Sequence, residues 1–168
     1  MRLLANHIQT VLQHHPILHH SQHAYKRGGS VTPCLNLLLD RLELSHELKS
    51  ELFIILLDMN KAFDKTQWWL VRMALTRLGF PPFFIRFVCN YLSCSQTIIK
   101  TLHGPTQLIT LTSVKQGDPL AGYLYICTLD LFHSMLNNAH PHRIRPYGTS
   151  EGYADDVTLS AKSLADIR

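Results

Sequence analysis

Six consecutive apolar residues, Leu52-Phe53-Ile54-Ile55-Leu56-Leu57, run directly into Asp58. An uninterrupted run of that length, without the alternation of a half-wet strand, predicts a strand buried on both faces. A carboxylate at its end is costly if buried unpaired. It must therefore stand at an open sheet edge, bind a cation, or be an ordinary strand-end aspartate in a turn. With helical periodicity around the run and hairpins later in the chain, the expected architecture is α+β, a small antiparallel sheet with helices packed on one face.

Helical signals surround the strand. Leu4, Ile8, Val11 and Leu12 share one face of a segment from about Leu3 to Leu12. Thr32-Pro33 predicts a helix start, the hydroxyl capping and the proline filling the first turn, followed by Leu35, Leu38, Leu39 and Leu42 at helical spacing. Asp64 and Gln67 have capping-box spacing ahead of a periodic stretch, Trp68 to Leu78, that Gly79 and Pro81-Pro82 stop. A short helix over Phe83 to Leu92 follows. Gln96 to Leu102 and Gln107 to Leu111 read as hairpin strands around a Gly104-Pro105 turn. Asp118-Pro119 opens a helix to about Asn137, with Leu120, Leu124, Cys127, Leu131 and Met135 inward. Glu151 to Ser160 reads as a last hairpin with Asp155-Asp156 at its bend, and Ser163 as the cap of a further helix.

Composition narrows the class. Of 168 residues 46% are hydrophobic and 17% charged, enough to bury a core and too apolar for disorder. A net charge of +4 suits an anionic partner without requiring one. No apolar run approaches membrane-spanning length. Cys34, Cys89, Cys94 and Cys127 form no Cys-x-x-Cys pair, and the start does not resemble a signal peptide. The expectation is free thiols in an intracellular compartment, nucleus and cytoplasm being undistinguished. His15 and His19 stand four apart, but Pro16 breaks the helix that would align them on zinc, so an exposed connector is expected.

Three clusters carry chemistry. Asp58-Met59-Asn60-Lys61-Ala62-Phe63-Asp64 follows the apolar strand. Gln116-Gly117-Asp118-Pro119-Leu120 joins a glycine that allows close backbone approach to a helix start. Gly152-Tyr153-Ala154-Asp155-Asp156 holds adjacent carboxylates whose repulsion a divalent cation would remove. Each alone also fits a plain turn or cap.

In this order the three clusters resemble the reverse transcriptase family, particularly the non-LTR retroelement and group II intron type. Gln22-His23-Ala24-Tyr25 and Gly28-Gly29-Ser30 are similar to the family's finger-to-palm segment. The resemblance implies a polymerase palm over 51–168, incomplete at its end, preceded over 1–50 by part of the fingers, with the thumb absent. It implies transfer of a dNTP to a primer 3′-hydroxyl on an RNA template, in a DNA-synthesising, membrane-free setting. By the same resemblance Asp58, Asp155 and Asp156 are the catalytic carboxylates and, with the Met59 carbonyl, hold two Mg2+ ions, or Mn2+ in their place. Lys61 and Ala62 offer backbone N–H groups to the triphosphate. Phe63 is the aromatic gate against a ribose hydroxyl, which disfavours an RNA-dependent RNA polymerase. Gln116 and Gly117 lie near nucleotide and template base and Tyr153 and Ala154 near the primer end, while Lys26 and Arg27 either touch template phosphate or form a solvated basic turn. Asp64 is assigned to the capping box, and Trp68 and Trp69 to core or interface. The basic strands of the fingers, a thumb, and endonuclease or RNase H segments are not found. Ser113, Gly29 and Ala121-Gly122 depart from the family pattern. A non-catalytic remnant that binds nucleic acid is therefore the alternative.

Overall fold

The computed structural model describes residues 1–26, 28–98, 100–102, 104–105, 109–110, 112–139 and 149–163. Its elements, in order, are α1 (Arg2–His14), α2 (Thr32–Glu47), β1 (Phe53–Asp58), α3 (Ala62–Lys65), α4 (Trp68–Arg77), α5 (Pro82–Ser93), β2 (Gln96–Thr97), β3 (Lys100–Thr101), β4 (Gly104–Pro105), β5 (Ile109–Thr110), α6 (Ala121–Ala139), β6 (Thr149–Tyr153) and β7 (Asp156–Ala161). Arg27, the ends of the Gln107–Leu111 strand and the helix expected after Ser163 lie outside the described residues.

The main sheet has three antiparallel strands in the order β1-β7-β6. One face packs on α6, whose Leu124, Ile126 and Cys127 are buried together with Leu120 just ahead of it. Helix α4 lies against both α5 and α6. Its Val71, Ala74 and Leu75 meet Val88 and Leu92 of α5 in the same core, and Ile8 of α1 joins them. Burying each such aliphatic side chain contributes about 1.5–3 kcal/mol. A second link is polar: Arg77, at the end of α4, pairs with the buried carboxylate of Asp130 on α6, which also accepts from the His19 amide. Helix α4 ends as Gly79 and its φ of 77° predict, with Phe80 N donating to Leu75 O at 3.0 Å.

Several sequence expectations give way. Strand β1 is buried on one face only: Leu56 is 74% exposed and Ile54 36%. It sits at the sheet edge, and the helical layer covers the side of Phe53, Ile55 and Leu57. Helix α2 forms, but Thr32 lies inside it and Val31 caps it without a side-chain bond. No α2 residue is buried, and Leu35, Leu39 and Leu42 face outward. The helix is tied to the sheet instead by Arg41, whose guanidinium donates to Ser160 Oγ at 2.7 Å and Glu151 Oε1 at 3.1 Å. The Asp64–Gln67 capping box is not made. Asp64 belongs to α3, and Gln67 heads α4 without a side-chain cap bond. A tertiary contact sets that boundary, since Trp68 N donates to Thr112 O at 2.9 Å. Gly104-Pro105 is strand β4, paired with β3, and not a turn. Met135 points outward, 70% exposed. Trp68 packs against the core while Trp69 is exposed.

Among the described residues all four cysteines are free. No described helix is long and apolar enough to cross a membrane.

Candidate active site

Strand register brings the acidic residues to one end of the sheet. Asp58, the last residue of β1, is directly opposite Asp156, the first of β7. Directly paired residues of antiparallel strands project to the same face, so both carboxylates leave the sheet on its open side. Asp156 also pairs with Tyr153 of β6, which leaves Ala154 and Asp155 as a two-residue turn. Ala154 has φ 57°, a left-handed conformation that costs a residue with a Cβ about 1–2 kcal/mol. A tight turn of this kind holds Asp155 close to the sheet end despite the repulsion of its neighbour.

Beyond Asp58 the chain turns sharply at Lys61, also left-handed at φ 55°, into α3. The result is a cleft of about 320 Å³ lined by Asp58, Met59, Asn60, Lys61, Ala62, Phe63, Asp64, Gln116 and Asp155. The three clusters of the sequence thus meet. Of the expected residues, Asp58, Met59, Lys61, Ala62, Phe63, Gln116 and Asp155 line this cleft. Gly117, Tyr153, Ala154 and Asp156 do not, although Asp156 stands beside Asp58 through the register.

Gln116 reaches the cleft from a loop fixed at both ends. Val114 N donates to Thr66 O at 3.0 Å, and Ser113 bridges Gln67. Past Gln116, Gly117 takes φ 89°, which a side chain would strain. Asp118 then accepts from Leu120 N at 2.9 Å and from the Tyr91 hydroxyl. Burial and that bond to Asp118 push the Tyr91 phenol up to about 12. Asp118 is therefore a cap and brace behind the loop, not a member of the cleft.

The floor of the site was not legible as such. Phe63 packs on Tyr125 of α6 with ring centroids 5.1 Å apart. Tyr125 is buried, and its hydroxyl has no hydrogen-bond partner among the described residues. Burial, followed by the negative charges of Asp155 and Asp156, raises its pKa far above the usual phenol value. The same two influences, burial first and then Asp155, raise Tyr25. Asp64, given a capping role from sequence, is exposed and lines the cleft, as does Asn60. Spacing shows none of this: Tyr125 sits on the apolar stripe of α6 like any core aromatic.

The donor chemistry fits an oxygen-preferring divalent cation. Among the described residues, the side-chain carboxylates of Asp58, Asp155 and Asp156 make no hydrogen bond or ion pair, and no imidazole or thiol lines the cleft. No three acidic, imidazole or thiol groups stand close enough to form a complete cage among the described residues. Small hard cations are often bound through one or two carboxylates, with water and phosphate oxygens completing the shell.

A family model for reverse transcriptase (RNA-dependent DNA polymerase) matches residues 1–168. The chain is 33% identical over 132 residues to the retrovirus-related Pol polyprotein from type-1 retrotransposable element R2 of Popillia japonica, a match covering 77% of this chain and 18% of that protein. It is 27% identical over 149 residues to the corresponding R2 polyprotein of Bradysia coprophila, covering 88% and 17%. A 149 kDa protein of transposon TX1 from Xenopus laevis is 24% identical over 156 residues, covering 90% and 12%. The chain therefore spans less than a fifth of the length of these relatives. Among solved structures, apo telomerase from Candida tropicalis, truncated from its C-terminal domain, superposes with a TM-score of 0.70 at 13% identity, over 99% of this chain and 34% of that one. Telomerase from Candida albicans, in complex with a fragment of telomeric RNA, gives 0.71 at 12%, over 99% and 30%. At such identity the likeness is one of fold, a palm-like α+β core. With a family model matched along its whole length and homologues among retrotransposon polyproteins, the chain belongs to the reverse transcriptase family.

Proposed function

We propose that this cleft serves template-directed DNA synthesis: addition of a deoxynucleotide to a primer 3′-hydroxyl, with RNA as template. The observation that carries the reading is the meeting of Asp58 and Asp155, distant in sequence, in one polar cleft with Gln116 and Phe63. Asp58, Asp155 and Asp156 would hold two divalent cations, magnesium by preference and manganese as a substitute, with the Met59 carbonyl as a further oxygen. Bound there, such ions supply activation of the primer hydroxyl and charge stabilisation at the pyrophosphate leaving group.

The chain's own residues then position reactants, the main task left to protein in nucleotidyl transfer. Lys61 and Ala62, on the cleft wall, would present backbone N–H groups to the triphosphate. Phe63, braced by Tyr125, would fill the space beside the sugar 2′ carbon and exclude a ribose hydroxyl. Gln116 would approach the nucleotide from the opposite wall, with Gly117 behind it allowing the template backbone near. Tyr153 and Ala154 would support the primer end from the hairpin.

The test is primer extension on an RNA template with magnesium, using this chain alone and with fingers and thumb segments restored. Incorporation of dNTPs is expected, and Asp155→Asn should abolish it while the protein stays folded. Failure of the wild-type polypeptide to incorporate, with nucleic-acid binding retained, would instead identify a non-catalytic remnant.

A further inference from the structure

The loop between α1 and α2 runs along the free edge of β6. Gly152 N donates to Ser21 O at 2.8 Å and His23 N donates to Gly152 O at 2.9 Å, so Gln22 bridges Gly152 in parallel register. This pairing buries Gln22 completely, at 0% exposure. Its Oε1 accepts two backbone N–H groups: that of Ala24 at 3.0 Å, within its own loop, and that of Ala154 at 3.3 Å, across 132 positions. Ala154 is the left-handed residue of the acidic turn and the immediate neighbour of Asp155.

We propose that Gln22 is a positioning residue for the acidic turn, fixing through the Ala154 amide the direction in which the Asp155 carboxylate enters the cleft. The proposal rests on the reading of Asp155 as a cation ligand and deepens it. Three features favour this role over simple stitching of the loop. Alanine has no intrinsic preference for a left-handed φ, so the turn needs an outside partner to hold it. Ala154 N lies at the first turn position, where the two-strand ladder gives it no partner of its own. The side chain delivering the acceptor is itself confined: a Cβ added at Gly152 would fall 3.5 Å from Gln22 Nε2 and 2.9 Å from His133 Nε2. His133, from α6, is fully buried and shares a hydrogen bond with Ser150 Oγ at 2.8 Å. Gly152 thus leaves just enough room for Gln22 and His133 to close around the base of the hairpin.

Amide exchange read by NMR, together with Mn2+ affinity from water-proton relaxation, tests this. In the wild-type chain the Ala154 amide should exchange several-fold more slowly than in a free peptide, an observation that needs no variant. Gln22→Met keeps the length and removes the acceptor. It should speed Ala154 exchange by roughly five- to tenfold and weaken Mn2+ binding by a similar factor, with protection in β1 and β7 unchanged. Gln22→Glu keeps an oxygen at the same reach and should recover Ala154 protection. An Ala154 amide exchanging at the free-peptide rate in the wild type, or a folded Gln22→Met with unchanged exchange and Mn2+ affinity, would overturn the proposal. Equal Mn2+ affinity in wild type and Asp155→Asn would overturn the cation reading beneath it, a failure distinct from loss of the Gln22 bond.

Discussion

Replacing Arg41 by methionine should loosen α2 from the sheet. The helix buries none of its residues, so its leucines contribute little to holding it in place. The Arg41 guanidinium, 11% exposed, meets a Glu151 side chain that is 6% exposed, and also donates to Ser160 Oγ. Methionine retains most of the apolar stem and deletes both hydrogen bonds. Breaking a buried ion pair from one side costs about 3–5 kcal/mol. Here the cost falls at the low end of that range, because His23 Nε2 remains 2.9 Å from Glu151 Oε2 and the Ser160 bond is a modest one. About 3 kcal/mol is expected, equivalent in a chain of this size to a melting temperature lowered by about 6–12 °C. Urea and thermal denaturation measure the global effect, and amide exchange across 32–47 shows whether α2 detaches first. Leu39→Ala, at a position 54% exposed, should cost less than about 0.5 kcal/mol. If Arg41→Met stays within about 0.5 kcal/mol of wild type with α2 protection intact, the leucine face and not the guanidinium secures the helix.

Two other outcomes follow, one from a buried group and one from the cleft wall. Burial, with repulsion from His19 secondary, depresses the His133 pKa from 6.5 to about 4. The unfolded chain therefore takes up a proton that the native chain refuses, and stability present above pH 6.5 is lost as pH falls from 6.5 toward 4. The loss should reach about 2–3 kcal/mol in urea titrations, and His133→Leu should flatten that slope. An unchanged slope in the variant would exclude His133 as its source. Phe63→Ala, which opens the space above Tyr125, should raise incorporation of ribonucleotides relative to deoxynucleotides by at least tenfold in primer extension. Unaltered discrimination would remove Phe63 from the gate.

The sequence was informative wherever the deciding interaction was local. Gly79 stops α4 through its own left-handed φ, and the Tyr153-Ala154-Asp155-Asp156 stretch turns where its carboxylates stand. The helical periods of α1, α4 and α5 match their buried faces for the same reason. It misled where a distant partner decides. The apolar run of β1 cannot tell a strand covered on both faces from an edge strand that leaves Ile54 and Leu56 exposed. The leucines of α2 specify a helix, but Arg41 and Glu151, 110 positions apart, decide how it docks. Asp64 and Gln67 have capping-box spacing, yet the contact of Trp68 with Thr112 sets where α4 begins. In the site, the order of the three clusters located the cleft. Tyr125 beneath Phe63 stayed hidden, because it is an unremarkable core aromatic until the chain folds, and the segment of Gln22 was singled out without any sign of its reach to Ala154.

Anomalous diffraction from crystals of the chain equilibrated with manganese tests the common cation site directly. The account predicts a metal peak bonded to carboxylate oxygens of both Asp58 and Asp155, lost in Asp155→Asn. Manganese bound elsewhere, or the two carboxylates turned away from one another around an empty cleft, would contradict it.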